Sequence, residues 1–207
     1  MSPRLHPYAA ATLLVVAAAG CDGVPLGMAR SANQYRLPYA DGTEIEVRAD
    51  AETHEPPGAY DLRAFGGRGL RRYRVVAAQD GVVRSIVDDL SRTCDCEDGT
   101  CGNNYVWIEH AGGEWSKYSH LATDSVTDDA GLAEGDAVSA GQFLGYESDV
   151  GRACGVHLHF EVSVPDDPDE PLYDRIGGFL DGERVVPRFC SVADGTLREG
   201  DEVEVEG

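Results

Sequence analysis

The run Gly155-Val156-His157-Leu158-His159-Phe160-Glu161-Val162-Ser163-Val164 decides how this chain is read. Apolar and β-favouring residues dominate it, so it reads as a strand. Strand side chains alternate faces, so His157 and His159 project from one side while Leu158 and Phe160 turn to the other. Two imidazoles on one strand face call for a chemical partner, because unpaired polar groups are costly wherever that face is covered. A shared metal, or a metal beside a proton-transfer group, is such a partner. A half-exposed strand with two unrelated histidines would show the same pattern, and the surroundings must decide.

Outward from this run the chain reads as short strands separated by turns. Glu44–Val47 and Tyr73–Ala77 are candidates, followed by Val82–Val87 after the Asp80-Gly81 turn. Asn104–His110 alternates, with Val106 and Ile108 on one face and Tyr105, Trp107 and Glu109 on the other. Ala111-Gly112-Gly113 then turns into Glu114–Leu121. Glycines in Gly135–Gly145 frame two very short strands, and Pro165–Glu170 is an acidic, proline-rich loop. Leu172–Leu180 is expected to form one short helix, with Val185–Cys190 and Glu202–Val205 closing as strands. No amphipathic helix of three or more turns is evident. With 25 Gly and 10 Pro in 207 residues, the expectation is a mostly β domain with an antiparallel sheet.

The charge narrows the partners. With 37 acids against 17 bases the formal net charge is −20, which repels nucleic acid and anionic lipid surfaces. The N-terminus reads as a targeting segment. Arg4 gives a basic start, and Ala9–Ala19 is apolar but too short to span a bilayer. The segment ends Ala18-Ala19-Gly20-Cys21, which looks like a bacterial lipobox, with cleavage before a cysteine that carries lipid. The expected organisation is a lipoprotein signal peptide over residues 1–20, a flexible tether over 21–40 and one domain over 41–207. The mature chain would be anchored to a membrane through lipidated Cys21 and face the periplasm or the cell surface.

Cysteine usage agrees with export. Besides Cys21 the chain has Cys94, Cys96, Cys101, Cys154 and Cys190. Cys94-Asp95-Cys96 followed by Cys101 lacks the paired C-x-x-C spacing of structural zinc sites, so a disulfide-pinned loop is favoured. Cys94 and Cys96 are too close to suit each other, so one of them is expected to close on Cys101, and the odd count leaves a thiol over.

Of six histidines, His6 lies in the signal segment, leaving His54, His110, His120, His157 and His159. His54 sits in a loop running into a strand with Asp61 at its start, and His120 follows Tyr118-Ser119 near a strand end. Two His and one carboxylate form a familiar catalytic zinc set that leaves one position for water. His110, before a Gly-Gly turn, is assigned to structure.

Several ordered motifs now resemble one family, the lysostaphin-type (LytM) zinc metalloendopeptidases of peptidoglycan. They are His110–Gly113, Tyr118-Ser119-His120-Leu121, G-D-A-V-S-A-G-Q-F-L-G at Gly135–Gly145, and G-V-H-L-H-F-E-V at Gly155–Val162. Asp61-Leu62 and the Val75–Val83 hairpin are similar upstream. The resemblance covers roughly residues 50–190. It implies an antiparallel sheet of the LytM, duplicated-hybrid-motif type with a groove active site and long loops. It also implies Zn2+ held by His54, Asp61 and His159, catalytic roles for His120 and His157, and a peptidoglycan peptide as substrate. One departure stands out. The commonest family pattern places His four residues before Asp, where this chain has Pro57, and six residues separate His54 from Asp61.

The function expected is therefore zinc-dependent hydrolysis of stem-peptide or cross-link bonds by a monomer, with a regulatory protein partner a further expectation. The alternative is a catalytically silent LytM-like domain that binds the wall or activates another wall hydrolase. A lipoyl- or biotinyl-type carrier, which Gly135–Gly145 also resembles, is excluded because the only lysine, Lys117, lies in a strand rather than at a hairpin tip.

Overall fold

The strand that carries His159, with His157 just before it, lies in the middle of the sheet. A computed structural model describes residues 24, 27–66, 72–95, 98–169, 171, 173 and 177–206. In it β12 (Leu158–Pro165) lies between β3 (Ala59–Phe65) and β8 (Trp115–Ser119), antiparallel to both. Its second half also pairs with β13 (Gly182–Phe189), through Val162↔Val185 to Pro165↔Gly182. One edge of β12 is thus shared between two partners, and the other is taken by β8.

The sheet extends outward by the remaining strands. On one side β2 (Glu44–Ala49) pairs with β3, and β14 (Glu202–Glu204) with β2. On the other, β7 (Tyr105–Glu109) follows β8, then β5 (Gly81–Val87) and β9 (Ala137–Val138). Ten strands form this sheet. Two small ribbons lie beside it: β4 (Arg74–Val76) with β10 (Phe143–Tyr146), and β6 (Thr93–Cys94) with β11 (Gly151–Arg152). The one helical element among the described residues is a five-residue turn, Ser125–Asp129. The protein is mostly β with an antiparallel sheet, and among the described residues parallel pairing is confined to β1–β13 and β6–β11.

Alternation along β12 gives the sheet two different faces. Leu158, Phe160 and Val162 are fully buried in the main core with Tyr60, Leu62, Val106, Ile108 and Tyr118. Burying each such side chain contributes roughly 1.5–3 kcal/mol, so this face fixes the register of the strands against one another. The opposite face carries His159, Glu161, Lys117 and Asp61, and beside them a separate aromatic cluster of Tyr105, Trp107 and Trp115. The expected split of Val106/Ile108 from Tyr105/Trp107 is the split between these two clusters. Segment 177–180 roofs the second face. Its Gly178 carbonyl accepts from Trp107 Nε1 at 2.8 Å, and its Gly177 carbonyl accepts from Lys117 Nζ at 2.7 Å. Gly178 has φ of +66°, and a Cβ there would lie 2.4 Å from the Tyr105 ring, so only glycine fits.

Two expectations change. Residues 29–40 are part of the domain rather than tether: β1 (Ala29–Tyr35) lies parallel to β13, with Tyr35↔Phe189 at one end. Tyr35, Leu37 and Tyr39 are fully buried, a period-2 pattern interrupted by Arg36 and Pro38. Glu114 adds a polar anchor, accepting from Ser31 Oγ (2.7 Å), Ala32 N–H (2.6 Å) and Tyr35 O–H (2.9 Å). Burial alone would raise its carboxyl, but these donors hold it below the usual range. The helix expected over Leu172–Leu180 is replaced, where the residues are described, by an antiparallel bridge between Tyr173 and Leu180, a pairing no helix contains. Leu172 and 174–176 lie outside the described residues.

Cys94 and Cys101 are joined, as the loop reading required, and Cys154 is also disulfide-bonded, while Cys190 is free and exposed. Cys21, Cys96 and the targeting segment lie outside the described residues. Among those described, no helix is long and apolar enough to cross a membrane.

Candidate metal centre and active site

Strand register brings the first groups together. Asp61 on β3 stands directly opposite His159 on β12, and Ser119 at the end of β8 is His159's partner on the other side. The fold therefore places a carboxylate next to an imidazole by backbone pairing alone. His54 arrives from a turn locked by Asp50, whose Oδ1 accepts from Glu52 N–H (2.8 Å) and Thr53 N–H (2.9 Å). Its main-chain oxygen accepts from His54 N–H at 2.8 Å. The long spacing from His54 to Asp61 is taken up in this turn, and the two residues still meet.

His120 directly follows β8 in the left-handed region, at φ +63°, a conformation uncommon for a residue with a Cβ. That twist carries its ring out of the strand's alternation and toward the site. Buried Asn104 holds the corner: its main-chain oxygen accepts from His120 N–H at 2.9 Å, and its amide donates to the Leu90 and Leu121 carbonyls. His157 is placed by an isolated bridge to Ser148 just before β12 begins.

Hydrogen bonds fix which ring nitrogen faces the site. A carbonyl can only accept, so Nδ1 carries the proton where it meets Pro56 O in His54 (2.8 Å), Val150 O in His120 (3.0 Å) and Gly155 O in His157 (2.9 Å). In these three rings Nε2 keeps its lone pair. His159 is turned the other way, with Nδ1 3.3 Å from Asp61 Oδ1 and Nε2 3.5 Å from Glu161 Oε2. Glu161 thus acts on His159 from behind, as carboxylates do behind ligating histidines.

The donor set suits a metal ion. His54 Nε2 and His159 Nδ1 lie 3.4 and 3.3 Å from the same oxygen, Asp61 Oδ1. Two ligands about 2.0–2.1 Å from one tetrahedral centre are separated by about 3.3–3.4 Å, so both distances equal a tetrahedral edge and exceed a good hydrogen bond. Ligand atoms of His54, Asp61 and His159 all fall within 4.8 Å of one another. His120 and His157 adjoin them, their rings 4.5 Å apart, with His157 Nε2 3.6 Å from Asp61 Oδ1. All five residues line one cleft.

Burial and charge set the protonation states. Desolvation lowers His120 to about 3, with the nearby His157 adding to it, and burial lowers His157 as well. Both rings are therefore neutral at pH 7. Asp61 stays ionised: burial opposes the charge, but His159 and His54 hold it well below the usual carboxylate range. Glu161 is buried yet ionised, since Lys117 (3.6 Å), His159 and Arg184 Nε (2.5 Å) outweigh desolvation. His159 is raised by Asp61 and Glu161 against the effect of its own burial. His110 stays apart from the cleft, bonded to Asp80 O and Ser116 Oγ in the core.

The sequence pattern described as Peptidase family M23 matches residues 61–171, more than half of the chain. The protein belongs to peptidase family M23. Over 69 residues this M23 chain is 36% identical to the DD-carboxypeptidase/endopeptidase Mpg of Neisseria meningitidis serogroup B, covering 33% of this chain and 14% of that protein. Over 61 residues it is 38% identical to the Peptidoglycan DD-endopeptidase ShyA of Vibrio cholerae serotype O1, covering 30% of this chain and 13% of ShyA. The match therefore spans about a seventh of these relatives' length. Among solved structures, the deep-sea M23 metalloprotease Pseudoalterin aligns over 84% of this chain and 96% of its own, at 17% identity and a TM-score of 0.48.

In this M23 domain sequence reasoning missed Glu161, although it lies two and four residues after His159 and His157 and so shares their strand face. It also gave Lys117 and Asn104 no part in the site. The signal for Lys117 was its place opposite Glu161 across β8 and β12, which only the register reveals.

Proposed function

We propose that the protein is a zinc-dependent endopeptidase that hydrolyses peptide bonds in peptidoglycan stem peptides or cross-links, exported and tethered to the envelope through Cys21. The observation that carries this reading is the meeting of His54 Nε2 and His159 Nδ1 at tetrahedral-edge distances around Asp61 Oδ1, with His120 and His157 beside them. His54, Asp61 and His159 would hold the metal. When bound, zinc supplies Lewis acidity that makes water nucleophilic near neutral pH. The Glu161 carboxylate, 3.5 Å behind His159 Nε2, favours a proton on that nitrogen and leaves Nδ1 facing the site.

His157 and His120 are the proton-handling groups of this proposal. Each is neutral and presents an Nε2 lone pair to the cleft, so either can accept the proton of the attacking water. Once protonated, a buried imidazole of low basicity readily gives that proton to the departing amine. To stabilise negative charge on the carbonyl oxygen as the nucleophile adds, the other ring, held 4.5 Å away, must itself carry a proton on Nε2 and donate it as a hydrogen bond. Membership of a peptidase family and the partial match to peptidoglycan endopeptidases support this choice of bond.

The test compares alanine variants of all five residues for bound zinc and for hydrolysis of purified peptidoglycan. His54→Ala, Asp61→Ala and His159→Ala should lose zinc and, with it, stability. His157→Ala and His120→Ala should keep near-stoichiometric zinc and lose about 10²–10⁴-fold in rate. Equal zinc loss from His157→Ala and His159→Ala would overturn the division of roles. A wild-type protein that holds no zinc would leave only a silent wall-binding domain.

A further inference from the structure

We propose that Arg152 is the specificity-determining residue of the cleft, binding a free carboxylate of the substrate peptide. The inference rests on the peptidase reading for the identity of the substrate, and on the following observations for the role of the side chain.

Arg152 lines the same cleft as the five site residues and is exposed to it. In a chain with 37 acids and 17 bases, an arginine normally finds a carboxylate. Arg36, Arg84, Arg92, Arg184 and Arg198, for example, all do. Among the described residues the guanidinium of Arg152 meets no carboxylate, hydroxyl, carbonyl or ring. The other cation in the cleft, Lys117, is already committed to Glu161 and to the Gly177 carbonyl. The cleft thus offers a substrate one uncommitted positive fork, with the planar geometry that suits a carboxylate.

The backbone beneath it is braced in a way nothing else in the site explains. Arg152 is the β11 residue paired with Cys94 of β6, and Cys94 is bonded to Cys101. Two residues further on, Cys154 is disulfide-bonded as well. Arg152 N–H donates to Asn103 Oδ1 at 2.8 Å. The preceding Gly151 packs so closely on Asn103 that a Cβ would come within 2.2 Å of that oxygen. The cysteines thus build a stiff cleft wall and hold the Arg152 backbone in place on it, so that only the side chain has to be ordered on binding.

Peptidoglycan peptides carry several carboxylates, so the experiment must separate them. Cross-linked stem-peptide dimers are prepared with all carboxylates free, and with one carboxylate at a time converted to the primary amide. Wild-type protein, Arg152→Gln and Arg152→Lys are compared for kcat/KM and, at the zinc-loaded site, for binding of uncleaved dimer by calorimetry. Arg152→Gln should lose about 10–100-fold on the free-acid dimer, the scale of one charged hydrogen bond. It should match wild type on the dimer amidated at the recognised position, and it should keep its zinc. Arg152→Lys should recover part of the loss. The position whose amidation abolishes the difference between wild type and Arg152→Gln is the carboxylate bound. Equal activity of Arg152→Gln on every dimer, or an equal loss on all of them, would refute the proposal. If no dimer is cleaved but wild type still binds the free acid in preference to one amide and Arg152→Gln does not, the peptidase reading fails and the carboxylate site stands.

Discussion

Glu147 is expected to make the domain less stable as pH rises, and Glu147→Gln should remove that dependence. The residue follows β10 and is 4% exposed. Its Oε1 accepts from Tyr39 O–H at 3.0 Å and Ala64 N–H at 3.1 Å, while Oε2 is buried without a partner. Burial raises the carboxyl from 4.5 to about 7, although those two donors pull the other way. Below pH 4.5 the folded and unfolded chains both hold the proton, and no stability is lost. Between 4.5 and about 7 the unfolded chain releases it while the folded chain keeps it, so stability falls as pH rises. At 1.36 kcal/mol per unit the full loss is about 3 kcal/mol, an appreciable part of a typical total of roughly 5–15 kcal/mol. In the variant the amide oxygen keeps both donors, and the NH2 takes the place of Oε2. Urea unfolding of metal-free wild type and Glu147→Gln at pH 4, 6 and 8 measures the effect, because the titration of all other groups cancels in the difference. The stability gap should move by about 3 kcal/mol in favour of the variant between pH 4 and pH 8. Parallel profiles across that range would refute the argument.

The remaining predictions concern the cysteines. Replacing Cys94 and Cys101 together by Ser opens a loop whose ends are seven residues apart, and should cost about 2.5 kcal/mol in urea unfolding. A midpoint unchanged from wild type would mean that the loop is held by its other contacts. Cys21→Ser, by the lipobox reading, should release the protein from membranes or block its processing, as fractionation and intact-mass measurement will show. Undiminished membrane association of that variant would remove the lipid anchor from the proposal.

Much of this architecture was legible because its signals are local. The Val106/Ile108 against Tyr105/Trp107 split follows from period 2 alone, and the two faces of the sheet obey it. The turns at Asp80-Gly81 and Ala111–Gly113 were equally visible. What escaped depends on contacts distant in sequence. β1 was obscured because polar Ser31, Asn33 and Gln34 break its apolar pattern, and its partners, β13 and Glu114, lie about 80–155 residues away. The helix reading of Leu172–Leu180 does not hold for its described residues, because 177–180 are shaped by what they cover, Trp107 and Lys117, rather than by local propensity. In the site, the His157/His159 pair announced itself, while the roles of Lys117 and Arg152 depended on strand register and on a disulfide-braced wall.

On the lipid-anchor proposal, the docking of β1 sets how far the domain can wander. If Cys21 carries the lipid, a tether running to residue 40 would give the domain a leash of 19 residues, about 65 Å when fully extended. With β1 starting at Ala29, only eight residues remain, at most about 28 Å. Val24 also packs against the core, which shortens the leash further. A domain so tethered stays within about 28 Å of the bilayer. On the proposed function, its substrate peptides are then those in the wall layer nearest the membrane, and material deeper in the wall must come to it.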